Sequence, residues 1–184
     1  VATVSPSEVH RLTLARPARL GGGRLLCVDG PAGSGKTTLA AGIAELEPGA
    51  VVVNTDQLLD GWTGLPTLPP LLAALVAPLA RGEDSSYRRY DWIAGEYAEE
   101  VPVPRTTLLV IEGVGAGCRA LAPYRSLLVW VSAPADQRVR RVVERDGPGV
   151  APYLEAWVAD EAAHFAAEGT RTAADLVIDS ADHL

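Results

Sequence analysis

Of the sixteen basic residues in the 184-residue chain only one, Lys36, is lysine, and it lies in the run Gly30-Pro31-Ala32-Gly33-Ser34-Gly35-Lys36-Thr37. That run fits GxxxxGK[ST], whose backbone N–H groups wrap a phosphate. Glycines at 30, 33 and 35 permit conformations that a Cβ would obstruct. Lys36 is expected to reach the β- and γ-phosphates, and Thr37 to offer its hydroxyl to Mg²⁺. The pattern carries this meaning only between a strand and a helix. Both are expected here: residues 24–29 (RLLCVD) form a short apolar run, and Leu39, Ile43 and Leu46 recur at helical spacing. Gly30 to Thr38 is therefore the expected nucleotide-binding segment, with Lys36 also serving the chemistry.

Two carboxylates stand where a phosphate cradle could use them. Asp56 follows the apolar run 50–54 (AVVVN), and Glu112 closes the run 107–111. The carboxyl ends of buried strands line the crevice of a parallel sheet. Asp56 is thus placed to take a proton from a substrate hydroxyl, to orient that hydroxyl, or to help hold the metal. Glu112 can hold Mg²⁺ or its waters with Thr37. The plain alternative for each is a turn or cap acid.

Positive charge is concentrated downstream. Arg138, Arg141 and Arg145 share a helix face by spacing, and Arg140 lies on a neighbouring one. Arg141 and Arg145 are the candidates for neutralising charge during phosphoryl transfer, as opposed to a solvated face. The string Tyr87-Arg88-Arg89-Tyr90-Asp91-Trp92 lies in a stretch, 82–104, that reads as polar and irregular. Arg88, Tyr90, Asp91 and Trp92 are the expected acceptor-binding residues, able to stack on a flat substrate and bond its hydroxyls. Trp157, Glu161, His164 and Phe165 sit at helical spacing and read mainly as packing.

These residues need a frame. Near-continuous apolar runs at 24–29, 50–54, 107–111, 126–132 and 175–178 alternate with helical segments. That alternation argues for a parallel sheet covered on both faces. Ser5-Pro6-Ser7-Glu8 is a helix start with a capping box, so an N-terminal helix is expected over about 6–15. The expected fold class is α/β: a P-loop NTPase three-layer sandwich with a five-stranded parallel sheet, in one domain over 1–184. A short lid is expected over about 138–152, since only residues 147–151 separate two helices.

Composition narrows the partners. A net charge of −7 gives no support for nucleic-acid binding through phosphates. No run approaches the roughly 20 apolar residues of a membrane span. Two lone cysteines, Cys27 and Cys118, fit free thiols in a reducing compartment, so a cytoplasmic protein is expected, as monomer or homodimer. A lysine confined to the phosphate loop cannot supply the NKxD-type motif of guanine-specific GTPases. The hhhhDE pattern and longer chain of motor ATPases are also missing. Length and motifs favour a small-molecule kinase that uses ATP and Mg²⁺.

Taken in order, the phosphate loop, Asp56, Glu112-Gly113 and Arg140-Arg141 with Arg145-Asp146 make the chain from about Leu25 resemble the uridine kinase-like branch of the nucleoside and nucleotide kinases. The resemblance implies ATP–Mg²⁺ phosphorylation of a hydroxyl on a small molecule, nucleosides included, with Asp56 as base. It leaves the acceptor open. Gln57-Leu58-Leu59 stands where that family carries an aromatic pair, and Arg89-Tyr90-Asp91-Trp92 stands in for its YDHP-type segment. Residues 28–38 (VDGPAGSGKTT) are also similar to cytidylate kinases. A nucleoside monophosphate kinase, with Arg88 and Arg89 receiving the acceptor phosphate, and a non-catalytic ATP-binding regulatory module remain the alternatives.

Overall fold

The structure is a computed structural model and describes residues 4–180. All five apolar runs become strands: β1 (Arg24–Asp29), β2 (Val51–Asn54), β5 (Leu108–Glu112), β6 (Leu127–Ser132) and β7 (Leu176–Asp179). They form one parallel sheet in the order β2-β5-β1-β6-β7. Side chains alternate across a strand, so the unbroken apolar runs of the three central strands β1, β5 and β6 bury both faces. In β1, Leu25 and Cys27 join one core cluster while Leu26 and Val28 join the other.

Helices cover the sheet accordingly. Helix α1 (Pro6–Leu14) begins where the capping box predicts, with the Ser5 side chain accepting the Glu8 N–H at 3.3 Å. Val9 of α1 and Leu39 and Ile43 of α2 (Lys36–Ala44) pack against Leu26, Val28, Leu108 and Val110. On the opposite face, Leu68, Leu72 and Leu75 of α3 (Leu68–Ala80) meet Leu25, Leu109 and Ile111. Helices α4 (Ala135–Asp146), α5 (Ala151–Glu168) and α6 (Thr170–Ala173) follow β6 and lead into β7. Between α4 and α5 lies only a 3-10 turn, Pro148–Val150. Cys27 and Cys118 are buried free thiols. Among the described residues no helix is long and apolar enough to cross a membrane.

The stretch read as irregular is instead an antiparallel hairpin of β3 (Ser85–Asp91) and β4 (Glu96–Val103). Its strands lack an apolar run because they make a ribbon outside the main sheet. Their polar groups pair across it: Arg89 Nε bonds Glu99 Oε1 at 2.6 Å, and the Ser86 hydroxyl bonds Glu100. The turn is built by Asp91, whose Oδ1 accepts the N–H groups of Ile93 (2.9 Å) and Ala94 (3.0 Å). Three bonds dock the ribbon onto the segment after β2: Tyr87 to Gln57 Oε1, the Tyr97 hydroxyl to Leu58 O, and the Trp92 indole to Asp56 O.

Candidate active site

The carboxyl ends of β1, β2 and β5 open into a cleft of about 780 Å³, walled by the phosphate loop, Asn54, Asp56, Glu112, Arg141 and Arg145. Gly30, Gly33 and Gly35 have φ of +142°, +75° and +96°. A Cβ at Gly33 would lie 2.4 Å from the backbone oxygen of Arg138, so α4 rests directly on the loop. Helix α2 starts at Lys36 with no side-chain cap and no acid in its first turn. Its N-terminal N–H groups and partial positive charge are thus left for an anion.

Lys36 is buried, with its Nζ donating to Pro31 O at 2.9 Å. Burial pushes its pKa below the ordinary lysine value, while Asp29, Asp56 and Glu112 pull it back. Pro31, Ala32, Ser34 and Thr38 complete the loop and the first turn of α2. Ala32 and Thr38 line the cleft.

Glu112 is 2% exposed, at the end of β5 between Val28 of β1 and Asn54 of β2. Its Oε1 accepts the Thr37 hydroxyl at 3.1 Å and the Asn54 amide at 2.6 Å. Its Oε2 is buried without a partner. Burial is the main cause raising its pKa, opposed first by Lys36. A buried carboxylate oxygen with no donor, beside a phosphate loop hydroxyl, fits a hard cation. Asp56 lies in the 3-10 turn 55–57, its backbone held at both ends: its N–H donates to Asn54 Oδ1 at 2.7 Å and its carbonyl accepts the Trp92 indole at 2.8 Å. Burial raises its pKa, with Lys36 and Arg145 acting to lower it.

The arginine face divides. Arg141 donates to Gly33 O (3.3 Å) and Arg138 to Ala32 O (3.2 Å), so both grip the loop's carbonyls. Arg145 lines the cleft, paired to Asp146 through two bonds of 2.7 Å. Arg140 pairs outside with Glu144 at 3.9 Å. The string in the hairpin divides too. Trp92 lines the cleft, and Tyr90 backs it edge-on at 5.6 Å. Arg88 lies away from the cleft, bonding Tyr97 O at 2.8 Å, and Asp91 is consumed by its turn.

Several residues at the site escaped the sequence reading. Asn54, the chain's only asparagine, links Glu112 to Asp56. Asp29, fully buried at the end of β1, accepts the N–H groups of Gly30 (2.7 Å), Gly115 (2.9 Å) and Gly117 (2.8 Å). Burial raises it to about 6 against those three donors. Glu161, read as packing, accepts the Ala32 N–H at 2.7 Å and the Trp157 indole at 2.8 Å, so α5 also holds the phosphate loop. Trp62 lines the cleft opposite nothing that its sequence neighbours announce.

No family model and no curated protein matches the chain. Solved structures do. A "Possible Uridine Kinase from Bacillus stearothermophilus" superposes with a TM-score of 0.64 at 20% identity, over 95% of this chain and 97% of the other. The two share the α/β fold, with a five-stranded all-parallel sheet in this chain. A "putative fructose transport system kinase from Silicibacter sp. TM1040" gives 0.58 at 24% identity, over 94% and 98% of the two chains. An uncharacterized protein from Eubacterium ventriosum gives 0.53 at 16%, over 86% and 88%.

Proposed function

We propose that the protein transfers the γ-phosphoryl group of ATP, with Mg²⁺, to a hydroxyl of a small molecule. The observation that carries this reading is Glu112, whose Oε1 is bonded by Thr37 and Asn54 and whose buried Oε2 has no partner, with Asp56 on the same cleft. Thr37 and Glu112 would hold Mg²⁺, which supplies charge neutralisation on the β- and γ-phosphate oxygens. The uncapped start of α2 and the loop N–H groups bind the phosphates, and Lys36 adds a compact charge. Asp56 takes the proton of the acceptor hydroxyl. The freed oxygen forms a bond to the γ-phosphorus while the bond to the β,γ-bridging oxygen breaks, and its electron pair leaves with ADP. Arg141 keeps the loop in shape, and Arg145, on the cleft wall, is assigned to meet developing charge.

A hydroxyl acceptor is favoured over a nucleoside monophosphate. Arg88 and Arg89, which a second phosphate would need, are spent on hairpin carbonyls and on Glu99. A regulatory module has no need of an acid pinned at Asp56. The test is ADP release from ATP–Mg²⁺ with nucleosides, sugars and other alcohols supplied one at a time. Acceptor-dependent release is expected. Tight ATP binding with no acceptor-dependent release would overturn the hydroxyl-acceptor reading, and release with a nucleoside monophosphate but not with the alcohols would favour the monophosphate kinase instead.

A further inference from the structure

A base at Asp56 needs more than a place on the cleft, because its carboxylate must point at the acceptor oxygen. Among the described residues that carboxylate takes no hydrogen bond, so its aim rests on how the backbone of the 3-10 turn 55–57 is held. Asn54 and Trp92 hold the N–H and the carbonyl of Asp56 itself. A third tie comes from the residue before it. Thr55 is fully buried and donates its hydroxyl to Val114 O at 3.0 Å. Val114 belongs to Gly113-Val114-Gly115-Ala116-Gly117, a turn with no polar side chain of its own. The backbone of that turn is fixed from the phosphate-loop side. Gly113 N–H donates to Val28 O at 3.1 Å, and the Asp29 carboxylate takes the N–H groups of Gly115 and Gly117 as well as that of Gly30. The two segments approach closely: Gly113 has φ of +129°, and a Cβ there would overlap Thr55 Oγ1.

Resting on the kinase reading, we propose that Thr55 is a positioning residue for the transfer, tying the segment of Asp56 to the phosphate loop through the turn 113–117. Thr55 lies outside the cleft lining, so it acts through Asp56 and not on the reactants. Reaction between held groups is steep in distance: about 1 Å of misplacement can cost on the order of 10²-fold in rate. Without the Thr55 hydroxyl, Val114 O loses its donor and the turn is left to Asn54 and Trp92. The phosphate loop keeps its own supports, Arg138, Arg141 and Glu161. Loss of the hydroxyl therefore appears in kcat and not in affinity for ATP.

Thr13 supplies a matched control. It too is fully buried and donates to a backbone carbonyl, Val9 O at 2.8 Å, but within α1 and away from the cleft. The assay uses ATP–Mg²⁺ and the alcohol of the panel above that releases ADP fastest. Thr55→Val should lower kcat about tenfold or more with KM for ATP within about twofold, and Thr55→Ser should restore most of it. Thr13→Val should lose comparable thermal stability yet keep the wild-type kcat. An unchanged kcat in Thr55→Val, a change confined to KM for ATP, no rescue by serine, or an equal fall in Thr13→Val would each overturn the role. Backbone hydrogen exchange checks the same tie without turnover. The N–H groups of Leu58 and Leu59, bonded to Thr55 O at 2.9 and 3.2 Å, should exchange about tenfold faster in Thr55→Val and near the wild-type rate in Thr55→Ser. Unchanged exchange in Thr55→Val would also overturn it. The two readings fail separately. Faster exchange in Thr55→Val, with a wild type that no alcohol activates, would sink phosphotransfer and leave Thr55 as the anchor of the turn. An active wild type whose Thr55→Val variant keeps its kcat would sink the positioning role and leave phosphotransfer standing.

Discussion

A guanidinium is a poor substitute for the ammonium of Lys36. The side chain is buried against Pro31 O, and a planar guanidinium fork presents its N–H groups in a fixed geometry unlike that of a compact ammonium. Lys36→Arg is expected to fold, with a melting temperature near wild type, and to lose most phosphoryl transfer; near-normal turnover would contradict the role. Asp56 makes a prediction in pH. Burial raises its pKa, and only its ionised form can accept a proton. Activity should therefore rise with pH through that raised value, placing the acid limb of kcat/KM above the roughly 3.9 of an ordinary aspartate. A limb at or below that value would remove Asp56 from the base position. At this scale the sequence was informative at the lone lysine, which marked the phosphate loop. Rarity alone did not suffice, since the lone asparagine, Asn54, sits between Glu112 and Asp56 with no motif around it to give it a role. Glu161 gave no such sign, because its i+4 spacing from Trp157 is equally that of a packed helix face.

Elements decide what the residues can reach. The loop is held from behind by α4 and α5, through Arg138 and Arg141 on its carbonyls and Glu161 on the Ala32 N–H. Gly33 has φ of +75° and no room for a Cβ against α4, whereas Gly49, at φ +87°, has nothing within 4 Å. Gly49→Ala should thus cost only the backbone term, about 1–2 kcal/mol, and leave ATP affinity alone. Gly33→Ala should cost more in thermal melts and weaken ATP at least tenfold in titrations. Equal effects of the two would mean that α4 does not shape the loop. The strands of the main sheet were legible because each is a short apolar run, buried on both faces in β1, β5 and β6, with Val52 and Val177 exposed on the edge strands β2 and β7. The hairpin was not, because its register rests on charged and aromatic cross-strand pairs such as Arg89–Glu99 and Tyr90–Tyr97. A solvent-facing ribbon of this kind has the polarity of a loop.

At the scale of the whole molecule, the order β2-β5-β1-β6-β7 gathers the cleft. It brings the ends of β2 and β5 beside the phosphate loop that follows β1, so Asp56, Glu112 and Lys36 meet although 76 positions separate Lys36 from Glu112. The strand ends carrying the acids could be read in the sequence; the convergence of Trp62, Trp92 and Trp157 on them could not, since it depends on how the hairpin and α5 dock. The most direct test of the account is phosphoryl transfer to a competent acceptor by wild type and Asp56→Asn, with ATP affinity measured alongside. The account predicts a fall of roughly 10²–10⁴-fold in transfer, with ATP affinity within a few-fold of wild type. Transfer at the wild-type rate by Asp56→Asn would contradict it.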